Sequence, residues 1–69
     1  EEIMRGLPGL KRIRQKSGLT QEALAKLVGV HLMTINRYET GKQDARFAVV
    51  CKIAQILNCA ERELLFPER

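Results

Sequence analysis

The fold is decided by residues 20–41, which read T-Q-E-A-L-A-K-L-V-G-V-H-L-M-T-I-N-R-Y-E-T-G. Thr20 is suited to begin a helix, because its hydroxyl can accept a hydrogen bond from the backbone N–H groups of the first turn. Leu24, Leu27 and Val28 then recur at helical spacing and predict one apolar face. Gly29 predicts the end of this helix, since only glycine adopts a left-handed backbone conformation without a steric cost.

A second helix follows this glycine. Val30 restarts the apolar pattern, and Ile35 and Tyr38, three residues apart, mark the inner face of a helix. Ala25 lies one turn before the glycine, and its small side chain lets the second helix cross closely over the first. The stretch therefore predicts two short helices joined by a tight turn.

This arrangement resembles the helix-turn-helix of the phage-repressor and Cro type, the xenobiotic response element family, at seven or more positions. The resemblance covers roughly residues 10–65 and includes the motifs G-L-T-Q-E at 18–22, Y-E-T-G-K at 38–42 and L-N-C-A-E-R-E-L-L at 57–65. The family often has a polar cap, a proline and a serine-like cap where this chain has His31, Ala45 and Ala60. The resemblance implies a lambda-repressor-like DNA-binding domain whose second motif helix enters the major groove.

The whole chain predicts an all-α, compact bundle of five short helices that forms one domain over residues 1–69. The predicted helices span about residues 8–17, 20–28, 31–40, 46–57 and 60–65. Pro8 suits a first helical position, Asp44 is a candidate cap for the fourth helix, and Asn58 fits a left-handed position after it. The fourth helix, with Phe47 in its apolar stripe, is expected at the centre of the core. We expect no strands, and residues 1–6 form a weakly defined arm.

Charge separates the middle of the chain from its ends. Residues 5–52 carry ten basic and three acidic side chains, a net charge of +7, whereas the remaining residues carry −3. A basic middle segment favours a polyanionic partner, although the same charge can simply keep a small domain in solution. An apolar content of 45% argues against disorder. No apolar run approaches the roughly 20 residues that span a bilayer, so we expect no membrane partner.

The cysteine and histidine residues limit which disulfide, metal-binding or catalytic functions the sequence predicts. Cys51 and Cys59 lie eight residues apart, too far for easy bridging within one helix, so we interpret them as small buried hydrophobic residues in a reducing cytoplasm. His31 and these cysteines fit no zinc spacing, so we expect no metal and no cofactor. No group that would orient His31 is visible, so we expect no catalytic residues and no enzyme. The chain begins with Glu1 and carries no signal peptide, which suggests a fragment or a processed chain.

The second motif helix supplies the candidate base contacts. A rotation of about 100° per residue places Met33, Arg37 and Thr40 opposite the predicted core, with Asn36 beside them and Leu32 on the flank. Arg37 can donate two hydrogen bonds to guanine, and Asn36 can pair with adenine in the same way. Leu32 and Met33 can make only apolar contacts, most naturally to thymine methyl groups. The family often reads bases from the positions of Leu32, Met33 and Arg37; alternatively, the two apolar side chains touch another part of the protein or a partner.

Four residues are candidate phosphate contacts: Gln21, Thr40, Lys42 and Arg46. Gln21 stands at a helix N-terminus, where free N–H groups and the helix dipole favour anions. The resemblance implies that this glutamine contacts a phosphate or positions the neighbouring helix, and a plain polar role in the first turn is the alternative. Lys42 and Arg46 would flank the groove, and Thr40 would reach a phosphate or a thymine methyl.

Two further contacts are predicted away from the bases. The resemblance places Arg14 of the first helix against Glu39, which lies about 70° from the core direction and suits a half-buried ion pair. Leu64, Leu65 and Phe66 are candidates for a dimer contact, because a terminal apolar cluster needs a cover. Alternatively, these three residues close the core of the monomer.

The sequence thus predicts a sequence-specific DNA-binding transcriptional regulator. We expect a cytoplasmic repressor that binds double-stranded DNA as a homodimer on adjacent half-sites. The alternative is a protein-interaction module, antitoxin-like or co-activator-like, that uses the same fold. Leu32 and Met33 favour the alternative, whereas the basic middle segment, Gln21 and Lys42 favour DNA.

Overall fold

Helices form almost all of the regular structure. The computed structural model describes residues 3–66 and contains five helices: α1 (Leu10–Lys16), α2 (Gln21–Val28), α3 (Leu32–Thr40), α4 (Phe47–Leu57) and α5 (Glu61–Leu65). Two strands of two residues each complete the described fold: β1 (Ile3–Met4) and β2 (Ala45–Arg46). The prediction of an all-α bundle of five short helices is confirmed.

The turn between α2 and α3 is built from the predicted signals. Thr20 is the N-cap of α2, and its hydroxyl accepts a hydrogen bond from the Ala23 N–H at 3.0 Å. Gly29 ends α2 with a φ of 88°, a left-handed conformation that is strained for residues with a side chain. Asn58 ends α4 with a φ of 55°, as the sequence also predicted. Three residues, 29–31, therefore separate the two helices of the motif.

One predicted helix start and one predicted helix cap are wrong. α1 begins at Leu10 because Pro8 lies in a turn, which the Leu10 N–H closes by donating to the Leu7 carbonyl at 3.0 Å. Asp44 does not cap α4, since the N-cap position falls on Arg46, whose side chain makes no capping hydrogen bond. α1 therefore begins later than predicted, whereas α4 begins at Phe47, directly after its N-cap Arg46 and close to the predicted start.

The pairing of β1 with β2 was not predicted. The strands run antiparallel, with Ile3 opposite Arg46 and Met4 opposite Ala45. Ala45 is fully buried and Met4 is half-buried, whereas Ile3 and Arg46 are exposed. One side of this short ladder therefore faces the core and the other faces solvent. The expectation of a weakly defined arm is wrong for residues 3–6, and residues 1–2 lie outside the described residues.

The centre of the core belongs to α4, as predicted. This helix contributes four buried side chains and packs against α2, α5 and β2. Two residues assigned to apolar faces are exposed instead, Leu27 by 55% and Phe47 by 38%. No helix among residues 3–66 is long and apolar enough to cross a membrane.

Candidate nucleic-acid interface

The two sides of α3 differ in burial. Ile35 is fully buried and Tyr38 is 5% exposed, and desolvation raises the pKa of the Tyr38 hydroxyl. The other side, called here the α3 outer face, carries all four candidate base contacts: Leu32, Met33, Asn36 and Arg37. Three of these side chains are exposed and Asn36 is half-buried. The structure therefore brings the candidate base contacts together along one side of one helix.

His31 fixes the N-terminus of α3. Its Nδ1 accepts a hydrogen bond from the Met33 N–H at 3.1 Å, so the proton of the neutral ring is on Nε2. The imidazole thus provides the polar cap that the family often takes from another residue type at this position. Because His31 is itself exposed, its Nε2–H is a further donor beside the α3 outer face.

A buried polar cluster holds the other end of α3. Arg14 of α1 donates from Nε to Glu39 Oε2 at 2.5 Å and from Nη2 to Glu39 Oε1 at 3.3 Å. Its Nη1 donates to the Leu19 carbonyl at 2.8 Å. The side chains of Arg14 and Glu39 are 9% and 2% exposed, so the ion pair expected from the sequence is buried more deeply than the half-buried pair predicted.

Gln21 ties α2 to the same cluster. Its Nε2 donates to Glu39 Oε1 at 2.8 Å, so the Glu39 carboxylate joins α1, α2 and α3. This contact matches the positioning role that the resemblance implies for the glutamine. The positive charge of Arg14 also compensates the negative charge of Glu39.

Two candidate phosphate contacts present cations next to α3. Lys42 and Arg46 are both exposed, and the backbone of Lys42 is fixed because its N–H donates to the Arg37 carbonyl at 2.9 Å. Thr40 is exposed, and its hydroxyl donates to the Asn36 carbonyl at 3.0 Å. A hydroxyl has one proton to donate, so in this conformation Thr40 has none for a phosphate oxygen, whereas its predicted contact with a thymine methyl group is unaffected.

Residues 3–7, called here the N-terminal strap, lie against the C-terminal end of α3. The Leu7 N–H donates to the Tyr38 carbonyl at 2.8 Å. Gly6 has a φ of 70° and approaches Gly41 so closely that an added Cβ would lie 2.7 Å from the Gly41 Cα. Only a residue without a side chain permits this approach, so the strap and the end of α3 are packed backbone against backbone.

Arg5 is a candidate functional residue that the sequence analysis missed. It stands at a tight turn that the Gly6 N–H closes by donating to the Met4 carbonyl at 3.0 Å, and its side chain is exposed. The strap carries it to the same end of α3 as Lys42. The signal available in the sequence was Gly6, which permits a tight turn directly after a basic residue.

The three members of the predicted dimer contact differ in burial. Leu64 is fully buried in the core of the chain, and its carbonyl accepts a hydrogen bond from the Gly9 N–H at 2.9 Å. Its assignment to a dimer contact is therefore wrong, because it has no surface to offer. Leu65 is half-buried and Phe66 is 67% exposed, so these two members reach solvent.

Both cysteines are free and half-buried, less buried than predicted. Desolvation, followed by the charge of Glu61 and a hydrogen bond with it, raises the pKa of Cys51. Desolvation, followed by the charges of Glu63 and Glu61, raises the pKa of Cys59. The thiol form of each is therefore favoured, which lowers its reactivity as a nucleophile or metal ligand.

An anchored second helix with one exposed side, following a tight turn, defines a helix-turn-helix protein. The family model described as helix-turn-helix, HTH_3, matches residues 10–64, and the chain belongs to this family. The resemblance to the phage-repressor and Cro type is thereby confirmed.

Similar proteins agree with this assignment. An uncharacterized HTH-type transcriptional regulator of Archaeoglobus fulgidus is 40% identical over 55 residues, which are 80% of this chain and 79% of the relative. The restriction-modification controller protein C.AhdI of Aeromonas hydrophila superposes with a TM-score of 0.77 at 32% identity, over 83% of this chain and 86% of that protein. Apo-HppE superposes with a TM-score of 0.78 at 27% identity, but the match covers only 33% of HppE. The fold therefore also occurs as part of a larger protein.

Proposed function

We propose that this chain is a sequence-specific DNA-binding transcriptional regulator, acting as a repressor, that inserts α3 in the major groove. The α3 outer face is the observation that carries the proposal, because it gathers four side chains on one accessible side of a helix whose other side is buried. In helix-turn-helix proteins the N-terminal residues of this helix lie against base edges. Membership of the HTH_3 family and a relative named as a transcriptional regulator support the same role.

The two polar members of the α3 outer face have distinct tasks. Arg37 donates two parallel hydrogen bonds to O6 and N7 of a guanine, and Asn36 pairs with N6 and N7 of an adenine. Each such pair is worth about 1–3 kcal/mol of discrimination against a wrong base. Leu32 and Met33 complete the base-contacting surface.

Phosphate contacts come from residues around α3. Lys42, Arg46 and Arg5 are exposed cations at the C-terminal side of the helix. Gln21 uses one of its two amide protons for Glu39, so the second remains for a phosphate next to the N-terminus of α2. Each phosphate that a cation neutralises releases counterions, so affinity falls as salt rises.

A homodimer in the cytoplasm is part of the proposal. One domain of this size covers few base pairs, and two copies related by a two-fold axis would contact half-sites roughly 34 Å apart. Phe66, with the exposed part of Leu65, supplies the apolar contact between them. Free cysteines in their thiol form suit a reducing compartment.

A protein-interaction module is the second candidate, and one observation favours it. Leu32 and Met33 are 39% and 47% exposed, and apolar side chains of this size also fit a protein partner. The two candidate functions differ in their response to salt, because only DNA binding predicts a steep loss of affinity caused by counterion release.

Selection from random-sequence duplexes, followed by affinity measurements from low to moderate salt, tests the proposal. An enriched two-fold symmetric motif with a steep salt dependence is the expected result. Weak binding without an enriched motif would contradict it and favour the protein-interaction module.

Two variants divide the surface into base and phosphate contacts. Arg37→Ala should lower affinity for the selected site by a factor of about 5 to 150 and relax the preference at one base pair. Lys42→Ala should weaken all sequences equally and reduce the salt slope by about one. Lys11→Ala is the matched control, since Lys11 is an exposed lysine of α1 outside the proposed surface. Identical behaviour of the first two variants would contradict this division.

A further inference from the structure

Resting on the proposed function, we infer that Leu32 and Met33 recognise the C5-methyl group of a pyrimidine in the major groove, in thymine and in 5-methylcytosine alike. The two residues are consecutive, begin α3 and are 39% and 47% exposed. They therefore stand where a recognition helix comes closest to base edges. The N-terminal end of α3 would therefore bind an apolar group on the edge of a base.

The cap fixes the backbone that carries both side chains. The Met33 N–H donates to His31 Nδ1 at 3.1 Å, and the Thr34 N–H donates to the His31 carbonyl at 2.9 Å. The first turn is thus closed before any ligand arrives. A preformed apolar surface of this kind needs no ordering of its backbone when it meets the groove.

The major groove offers such a surface only one apolar partner. Every base edge there presents hydrogen-bond donors or acceptors, and the C5-methyl group of thymine is the exception. Neither Leu32 nor Met33 can donate to these groups, so an adenine or guanine edge beneath them would be left without partners. Sites that place a C5-methyl group under the first turn are therefore preferred.

The methyl group, rather than the rest of the base, carries the contact. A methyl group added to C5 of cytosine occupies the same place in the groove as that of thymine. The first turn should therefore distinguish 5-methylcytosine from cytosine as it distinguishes thymine from uracil. The domain would respond to the methylation state of a cytosine at that position.

The spacing of Met33 and Arg37 along α3 predicts how far this pyrimidine lies from the guanine that Arg37 contacts. Met33 and Arg37 are one turn apart, about 6 Å along the helix axis at 1.5 Å per residue. Base pairs are about 3.4 Å apart, so a helix lying along the groove sets the methyl group about two base pairs from the guanine that Arg37 contacts.

Charge favours DNA over a protein as the occupant of this surface. Arg37 is exposed one turn from Met33, and Lys42 is exposed just beyond the end of α3. The segment of residues 5–52 that contains them carries a net charge of +7. An apolar pair on a helix that also carries exposed positive charge matches a methyl group in a groove lined by phosphates.

Two matched pairs of duplexes test the inference. Each contains the selected site and differs only by one methyl group at the pyrimidine nearest the first turn: thymine or uracil opposite adenine, and 5-methylcytosine or cytosine opposite guanine. The methylated member of each pair should bind about fourfold more tightly, the effect of burying one methyl group. Equal affinities within both pairs, together with tight binding of the selected site, would overturn this inference and leave the proposed function intact.

Variants assign the effect to its residues. In the Leu32→Ala, Met33→Ala double variant the fourfold ratio should fall to about one, with only a small change in the unfolding midpoint because neither residue belongs to the buried core. Arg37→Ala should lower affinity for every duplex but keep the ratio. A ratio that survives in the double variant would overturn the inference. Failure of the unaltered chain to bind any duplex would overturn the proposed function and the inference together.

Discussion

The two ends of α3 are held in different ways. At the C-terminal end, Arg14 and Gln21 both donate to Glu39, and the Leu7 N–H donates to the Tyr38 carbonyl. At the N-terminal end, the His31 side chain caps the first turn, and the side chains that follow are exposed. One end is anchored to α1, α2 and the N-terminal strap, and the other projects its side chains outwards.

This difference distinguishes the buried side chains that anchor α3 from the exposed side chains of its first turn. Side chains buried at the anchored end contribute to the free energy of unfolding, because they lose partners when the chain unfolds. Exposed side chains at the projecting end contribute little to folding and remain available to a ligand. Substitutions at the two ends should therefore affect different measurements, which the following predictions exploit.

The largest effect is expected from breaking the Arg14–Glu39 pair. Arg14→Ala leaves the carboxylate of Glu39, whose side chain is 2% exposed, without its cation. Loss of one member of a buried pair costs about 3–5 kcal/mol, which a urea unfolding curve would show directly. Lys11→Ala on the same helix should cost little, because Lys11 is exposed.

A double variant shows whether the loss comes from the unpaired charge. Arg14→Met combined with Glu39→Leu removes both charges and keeps much of the volume, so it should recover most of the stability lost in Arg14→Ala. A double variant that is less stable than either single variant would contradict this explanation of the anchored end.

An intermediate effect is expected at the N-terminal strap. Gly6→Ala should cost about 1–2 kcal/mol for a positive φ, and a further 1–3 kcal/mol because its Cβ would collide with the Gly41 backbone. Gly18→Ala is the matched control, since Gly18 has a similar φ of 77° but no atom within 4 Å of its added Cβ. The difference between the two midpoints of thermal unfolding therefore measures the contact alone. Equal destabilisation would show that the strap does not press on the end of α3.

Local interactions could be predicted from the sequence, whereas interactions between distant segments could not. Thr20, Gly29 and Asn58 mark helix ends because capping depends on one residue and its immediate neighbours. The pairing of β1 with β2 joins segments about 40 residues apart, and two residues per strand are too few for an alternating pattern. Local signals therefore identified the helices, whereas the strap, which rests on a distant partner, was missed.

The burial of individual side chains could also be predicted only in part. Helix periodicity placed Met33 and Arg37 on the outer side of α3 and Leu32 on its flank, and all three are exposed. Periodicity alone does not fix how far a buried face extends, so Leu27 was placed in the core although it is 55% exposed. Leu64 shows the reverse error, because its burial depends on how α5 closes against the start of α1.

The smallest effect is expected at the projecting end. His31→Ala removes the acceptor for the Met33 N–H and should cost about 0.5–1 kcal/mol, the usual value for a helix cap. His31→Asp should restore that stability, because aspartate is a strong N-cap and its charge suits a helix N-terminus. The same aspartate would stand beside the α3 outer face and repel DNA phosphates, so affinity for the selected duplex should fall although stability returns. Measuring unfolding midpoint and duplex affinity for both variants checks this split; an aspartate variant that regains both would show that the N-terminal end of α3 does not approach DNA.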